Sequence, residues 1–150
     1  MKLTLLGTGM IVTEVLPVLN DYWEHWAEGY NVDTTILDKA ETLAKQYGLT
    51  QATSDYEAIL SNPDVDTIYV GTPNHTHYDY AKQALLAGKH VICEKPFTLH
   101  LEEFEELIKL AQEKELLLIE AIINQYLENF KVIKDSLSEI GDIKIVNINY

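Results

Sequence analysis

Arginine is missing from this chain: all 11 basic residues of its 150 are lysine, set against 24 acidic ones, for a formal net charge of −13. Without guanidinium forks the chain lacks the side chain best suited to bidentate phosphate recognition. A surface this negative repels polyanions, which excludes nucleic acid and anionic membrane as partners. Cysteine is nearly absent too. The single Cys93 rules out an internal disulfide and fits a reducing, cytoplasmic setting. Its place in an apolar run, with no activating base nearby in sequence, marks a buried structural thiol and not a nucleophile. No apolar run approaches the length needed to cross a bilayer. The N-terminal MKLTLLGTGMIV is interrupted by Gly7 and Gly9 and lacks a small-residue cleavage site, so it is expected to be a first strand and not a signal peptide. Repeats and low-complexity segments are absent as well.

What is present is a 47% apolar, mixed-charge composition long enough to bury one substantial core. Short apolar runs alternate with longer amphipathic stretches, which predicts βαβ units and a parallel sheet. Strands are expected at Lys2–Leu6, Gly29–Val32, Gln51–Thr53, Thr67–Val70, Val91–Cys93 and Leu116–Ile119. Helices are expected over Val12–Trp26, Ile36–Tyr47, Asp55–Leu60, His75–Leu86, Leu101–Lys114 and Leu127–Leu137. Gly48 and Gly88 supply helix stops, Ser54 or Asp55 a helix cap, and Asn62-Pro63 a break. Six strands interleaved with helices predict an α/β fold with a doubly wound parallel sheet. Beyond the Ile140-Gly141-Asp142 turn, Asp142–Tyr150 alternates as one more strand. Its apolar Ile143, Ile145, Val146 and Ile148 give an open edge that is expected to be disordered or to pair with another copy.

Four stretches carry chemistry. The turn Gly7-Thr8-Gly9-Met10-Ile11-Val12 follows the first strand and opens a helix. There Gly7 permits a tight turn, Gly9 leaves room for phosphates, and the helix N-terminus offers free N–H donors. Val12 replaces the third glycine of the usual dinucleotide fingerprint, which pushes helix and strand apart. Asp33, with Asn31 beside it, stands where an acidic residue grips an adenosine ribose; a plain surface aspartate is the other reading. With no arginine to hold a 2′-phosphate, and only Lys39 or the Thr34 and Thr35 hydroxyls to substitute, NAD is expected over NADP. The third stretch, Gly71-Thr72-Pro73-Asn74-His75-Thr76-His77, closes the fourth strand. Its two histidines are read as first-turn helix residues, not metal ligands, because no further ligand has supporting spacing. The fourth, Glu94-Lys95-Pro96, ends the fifth strand: either a surface ion pair of little consequence, or an ammonium and a carboxylate delivered to the same sheet margin.

Taken together, GTG after the first strand, DVDTIYVGTPNHTHYDYAKQALLAGKHVICEKPFT from Asp64 to Thr98, and IEAIINQYLENFK from Ile119 to Lys131 resemble the N-terminal half of the glucose–fructose oxidoreductase/inositol dehydrogenase (Gfo/Idh/MocA) family. The resemblance runs essentially from residue 1 to residue 150. It implies a nicotinamide-dependent oxidoreductase acting on a hydroxyl or carbonyl of a sugar, polyol or related compound. By the same resemblance Gly7, Thr8, Gly9, Met10 and Ile11 hold the pyrophosphate, and Thr72, Pro73, Asn74 and His77 line the nicotinamide side. Glu94 and Lys95 lie by the nicotinamide ribose, with Lys95 the catalytic lysine that touches cofactor and substrate, and the Lys95–Pro96 bond is cis. Glu120, Asn124 and Gln125 match a segment crossing under the ring, although family members often carry an arginine near position 125.

The resemblance also implies a division at residue 120. Residues 1–120 form the dinucleotide-binding domain, and 121–150 form a crossing helix with the first strand of a second α/β domain that holds the substrate pocket and the subunit interface of a homo-oligomer. On that basis the 150 residues are expected to bind cofactor and to turn over poorly alone. Two other readings stay open at this point: a stand-alone NAD-binding or sensing module, and a methyltransferase-type wound domain using S-adenosylmethionine.

Overall fold

The computed structural model describes residues 3–7, 9–23, 30–33, 37–49, 52–145 and 147. Its strands are β1 (Leu3–Leu6), β2 (Tyr30–Asp33), β3 (Ala52–Thr53), β4 (Thr67–Val70), β5 (His90–Cys93) and β6 (Leu118–Glu120). Between them run α1 (Met10–Trp23), α2 (Leu37–Tyr47), α3 (Tyr56–Ser61), α4 (His77–Leu86) and α5 (Leu101–Glu113), and α6 (Glu128–Ser136) follows β6. The six strands form one sheet in the order β3-β2-β1-β4-β5-β6, with every neighbouring pair parallel. This is the doubly wound arrangement, whose strand order reverses direction at β1 and β4 and opens a crevice at their carboxyl ends.

Two apolar layers explain why these strands are so uniformly hydrophobic. Leu3, Leu5 and Tyr69 turn to one face and meet Val12 and Leu16 of α1 and Ala40 and Leu43 of α2. Leu6, Ile68, Val70, Val91 and Cys93 turn to the other and meet α3, α4 and α5 through Ile59, Ala81, Leu85 and Leu107. A parallel sheet needs both faces covered, so alternate residues of one strand serve different cores. Fully burying one of these leucines contributes roughly 2 kcal/mol.

Helix ends follow local chemistry. The Asp55 side chain caps α3 by accepting the Ala58 N–H at 2.9 Å, which settles the Ser54-or-Asp55 alternative. Three helices close with the N–H of the second residue past the cap returning to a carbonyl one turn back: Leu49 to Ala44, Lys89 to Ala84, Leu116 to Ala111, each at 2.9 Å. Gly48 and Gly88 take the left-handed position in the first two, but Glu115 takes it in the third, with φ 56°. That turn is why β6 begins at Leu118 and not at Leu116: the chain is still closing α5.

The expected strand over Asp142–Tyr150 is corrected in the part that is described. Residues 142–145 are not in a strand, and Ile143 and Ile145 are 50% and 88% exposed. A strand needs a neighbour to hydrogen-bond, and among the described residues none pairs there. Residues 146 and 148–150 lie outside the described residues. No helix among the described residues is long and apolar enough to cross a membrane.

Candidate functional site

Strand register brings the motifs together. Leu6 is the register partner of both Asp33 and Val70, Val70 of Cys93, and Cys93 of Glu120. With Thr53 opposite Asp33, one transverse row therefore ends all six strands, and the next residues of four of them, Gly7, Gly71, Glu94 and Ala121, leave the sheet along a common margin. Three of those exits are tied by backbone bonds: Gly71 N–H to Leu6 O, Glu94 N–H to Val70 O, and Ala121 N–H to Cys93 O, at 2.9, 2.9 and 2.8 Å.

The first loop is built around backbone proximity. Gly7 has φ 113°, and a Cβ placed on it would lie 2.5 Å from the Gly71 carbonyl oxygen. Any side chain would force two strand exits apart. Gly71 answers in kind, since a Cβ there would lie 2.7 Å from Val12 Cγ2. Val12, which stands at the fingerprint's third glycine, is fully buried, and its side chain fills the space left by the glycine on β4's exit. Gly9 is different, because a Cβ on it would meet nothing within 4 Å. Its openness faces the start of α1, whose first turn holds no acidic residue. Met10 is exposed and Ile11 packs partly against the α1 core. Thr8 lies outside the described residues.

The second loop is fastened from behind. The Pro73 carbonyl accepts from the Thr76 N–H at 2.9 Å and from the Thr76 hydroxyl at 2.7 Å. A hydroxyl has one proton, so the 2.7 Å contact between Thr76 and Thr72 is donated by Thr72. Pro73 and Asn74 are exposed at the tip. His77, expected to line the nicotinamide side, is instead fully buried. Its Nδ1 lies 2.8 Å from the Pro96 carbonyl and its Nε2 2.9 Å from the Thr72 carbonyl, so it staples the second loop to the third from beneath. His75 is exposed, and among the described residues no three histidine, cysteine, aspartate or glutamate side chains gather as a metal set.

In the third loop the Lys95–Pro96 peptide is cis. Glu94 is 5% exposed and forms no surface pair with its neighbour. The Tyr69 hydroxyl donates to its Oε1, and the backbone N–H of Lys95 lies 3.3 Å from its Oε2. Phe97 is buried against Phe104 of α5, ring centroids 5.8 Å apart, and its N–H donates to Glu120 Oε1 at 3.0 Å. The tip is thus anchored on both sides, leaving the Lys95 side chain exposed and without a partner among the described residues. Burial, then the Glu94 and Glu120 charges, push the Cys93 thiol far above its ordinary range, so it stays protonated and inert.

Asn124 is exposed in the short turn Ile123–Tyr126 after β6, and Gln125 is exposed beside it. Asp33 ends β2 in the shared row, and Asn31 sits two residues earlier; their side chains lie outside what is described. In the sequence Tyr69 is legible only as a strand residue, and Gly71 only as the start of the third stretch. Gly71 carried a signal of its closer role, as the glycine directly after an apolar strand, whereas the place of Tyr69 opposite Ile92 comes only from the register of β4 and β5.

Against known proteins, the model of the oxidoreductase family with an NAD-binding Rossmann fold (Gfo/Idh/MocA) matches residues 1–122. An uncharacterized oxidoreductase of Synechocystis sp. is 31% identical across the whole chain, which covers 40% of that protein. A scyllo-inositol 2-dehydrogenase (NADP(+)) of Bacillus subtilis is 29% identical over 99% of the chain and 45% of its own length. Among solved structures, a 3-ketoreductase from Actinomadura kijaniata in complex with NADP and TDP-benzene superposes with a TM-score of 0.84 at 30% identity, over 93% of this chain and 42% of that one. The chain spans less than half the length of these relatives. A family model that covers residues 1–122, on a doubly wound parallel sheet, shows that the chain belongs to the Gfo/Idh/MocA oxidoreductase family through its NAD-binding Rossmann fold.

Proposed function

We propose that the chain binds a nicotinamide dinucleotide along the carboxyl margin of β1, β4 and β5 and serves hydride transfer to or from a sugar, polyol or related hydroxyl/carbonyl substrate. The carrying observation is the contrast between two glycines: Gly7 is locked against the Gly71 backbone, while Gly9 opens on nothing within 4 Å at the head of a 14-residue helix. Open space at a glycine beside a helix N-terminus fits a pyrophosphate. The residues that would hold the group are Gly7 to Ile11 at the phosphates, Asn31 and Asp33 at the adenosine ribose, and Thr72, Pro73, Asn74, Glu94, Lys95 and Asn124 toward the nicotinamide. When bound, the cofactor supplies the hydride donor or acceptor. Lys95 is the proposed catalytic residue, its exposed ammonium able to donate to a substrate oxygen. NAD is favoured over NADP because the chain has no arginine, even though both the inositol dehydrogenase and the ketoreductase named above are described with NADP. The dehydrogenase's substrate supports a polyol class. Residues 1–120 form the cofactor unit on this reading, and 121–150 an arm toward a substrate-binding and oligomerising unit like that of the longer relatives; Leu127, Phe130, Val132 and Ile133 along it are about half exposed.

Titration of the protein with NADH, NADPH and S-adenosylmethionine, followed by fluorescence and calorimetry, tests the reading. Saturable NADH binding, tighter than NADPH, is expected. Gly9→Ala adds only a methyl in open space, so it is expected to leave the melting temperature unchanged and weaken NADH by about tenfold or more, the cost of crowding a phosphate. Tight methyl-donor binding without a dinucleotide response, or Gly9→Ala binding NADH as the parent does, overturns it.

A further inference from the structure

Tyr69 belongs to no loop of the site, yet its hydroxyl ends inside one. It lies on β4 with register partner Ile92 on β5. Glu94 is two residues past Ile92 and so returns to the same face. The Tyr69 ring reaches along that face, and its hydroxyl donates to Glu94 Oε1 where β5 leaves the sheet. On the way it runs beneath the second loop, with Cε1 3.2 Å from where a Gly71 Cβ would stand. Tyr69 and Glu94 are 6% and 5% exposed.

A carboxylate held this deep is costly unless it is hydrogen-bonded. Glu94 has two donors, Tyr69 at one oxygen and the Lys95 backbone at the other, the latter long at 3.3 Å. The phenol bond is charge-assisted and the stronger of the two. Burial first, then the hydrogen bond to Glu94 and its charge, push the Tyr69 phenol far above its ordinary range, so it keeps the proton it donates. Each carboxylate oxygen accepts more than one bond, which leaves Glu94 capacity for outside donors. If the pyrophosphate sits at Gly7–Ile11, the dinucleotide's donors within reach of β5's exit are the vicinal hydroxyls of the nicotinamide-side ribose; its phosphates would be repelled by Glu94.

We infer that Tyr69 is a positioning residue: its hydroxyl fixes the Glu94 carboxylate as the acceptor for the hydroxyls of the nicotinamide-side ribose. This rests on the dinucleotide reading above. Tyr69 touches neither cofactor nor substrate, and it acts only through Glu94.

Three ligands separate the roles, because ADP lacks the second ribose, ADP-ribose has it, and NADH adds the nicotinamide. Calorimetric titrations of the parent protein, Tyr69→Phe, Glu94→Gln and the double variant are expected to show ADP affinity unchanged in Tyr69→Phe. ADP-ribose and NADH should each weaken in it by about tenfold, as for loss of a bond to a charged group. In the Glu94→Gln background, Tyr69→Phe should add less than twofold, since the group it orients has gone. Equal weakening of ADP and ADP-ribose, or an undiminished Tyr69→Phe effect in the double variant, overturns the inference by showing Tyr69 to be general support. Parent-like binding by Tyr69→Phe overturns it alone, whereas a parent protein that binds neither ADP-ribose nor NADH overturns it together with the dinucleotide reading. Should Tyr69→Phe fold poorly, Tyr69→3-fluorotyrosine keeps ring and O–H and must retain ADP-ribose affinity within about threefold; a larger loss would make volume, not the hydroxyl, the active property.

Discussion

The two ends of one sheet treat their polar groups in opposite ways. At the amino end, polarity is consumed internally. Lys89, 7% exposed, spends its ammonium on the carbonyls of Asn62 and Val65, both at 2.7 Å, and His90 Nδ1 accepts the Leu117 N–H at 3.0 Å. At the carboxyl end, buried polar groups hold up exposed ones. His77 staples Thr72 to Pro96 and Tyr69 holds Glu94, while Asn74 and Lys95 stand in solvent. Equal numbers of hydrogen bonds would not distinguish the margins. What distinguishes them is whether the buried bonds terminate in the fold or support a group that points out of it.

The comparison predicts that variants at the two ends affect different measurements. The largest effect is expected from Gly7→Ala, the one change that strikes both. A methyl 2.5 Å from the Gly71 carbonyl, on a residue with φ 113°, cannot be relieved by a side-chain rotation. Strain and overpacking together should cost about 3 kcal/mol in urea melts and abolish NADH binding. A Gly7→Ala protein of parental stability would mean the two exits are not locked together. Next is Lys89→Met, which keeps the stem's volume but strips the donor from two carbonyls. It should cost about 2 kcal/mol of stability and leave NADH affinity untouched. Lys95→Met is its mirror: stability within about 0.5 kcal/mol of the parent, and NADH affinity lower by about tenfold, roughly 1.4 kcal/mol. If Lys89→Met weakened NADH, or Lys95→Met lowered the melting temperature, the division of labour between the margins would be lost.

The same contrast explains what the sequence revealed. Thr67–Val70, a run of β-branched and aromatic residues bounded by Asp66 and Gly71, is the strand expected there, because a fully buried parallel strand shows no polar alternation. The carboxyl margin was legible because unusual residues stand at its strand ends: paired glycines, a stiffened Thr-Pro-Asn, and a charged pair followed by proline. The supports behind it were not legible. Tyr69 looks like any aromatic in a strand, and only the three-dimensional register sets its hydroxyl on Glu94. His77 carried the reverse hazard. The family resemblance set it toward the nicotinamide, but its two nitrogens lie against carbonyls, and that depends on how far the third loop folds back. In the tail, alternation at Ile143 and Ile145 records a face suited to burial, and the open edge expected there has no neighbour to bond among the described residues.

Glu115 offers the smallest effect and the sharpest separation. It takes the left-handed position at the end of α5, φ 56°, where α2 and α4 use glycine. A non-glycine residue pays about 1 kcal/mol for that conformation. Its carboxylate also sits at a helix C-terminus, where the dipole disfavours negative charge. Both terms have the same sign, so Glu115→Gly should stabilise the protein by about 1 kcal/mol, and Glu115→Gln, which removes only the charge, by a few tenths. Gln matching Gly would assign the gain to the dipole and not to the backbone. Because this turn feeds the amino end of β6, neither variant should change NADH affinity, and a change would show that the two margins communicate through the strand between them.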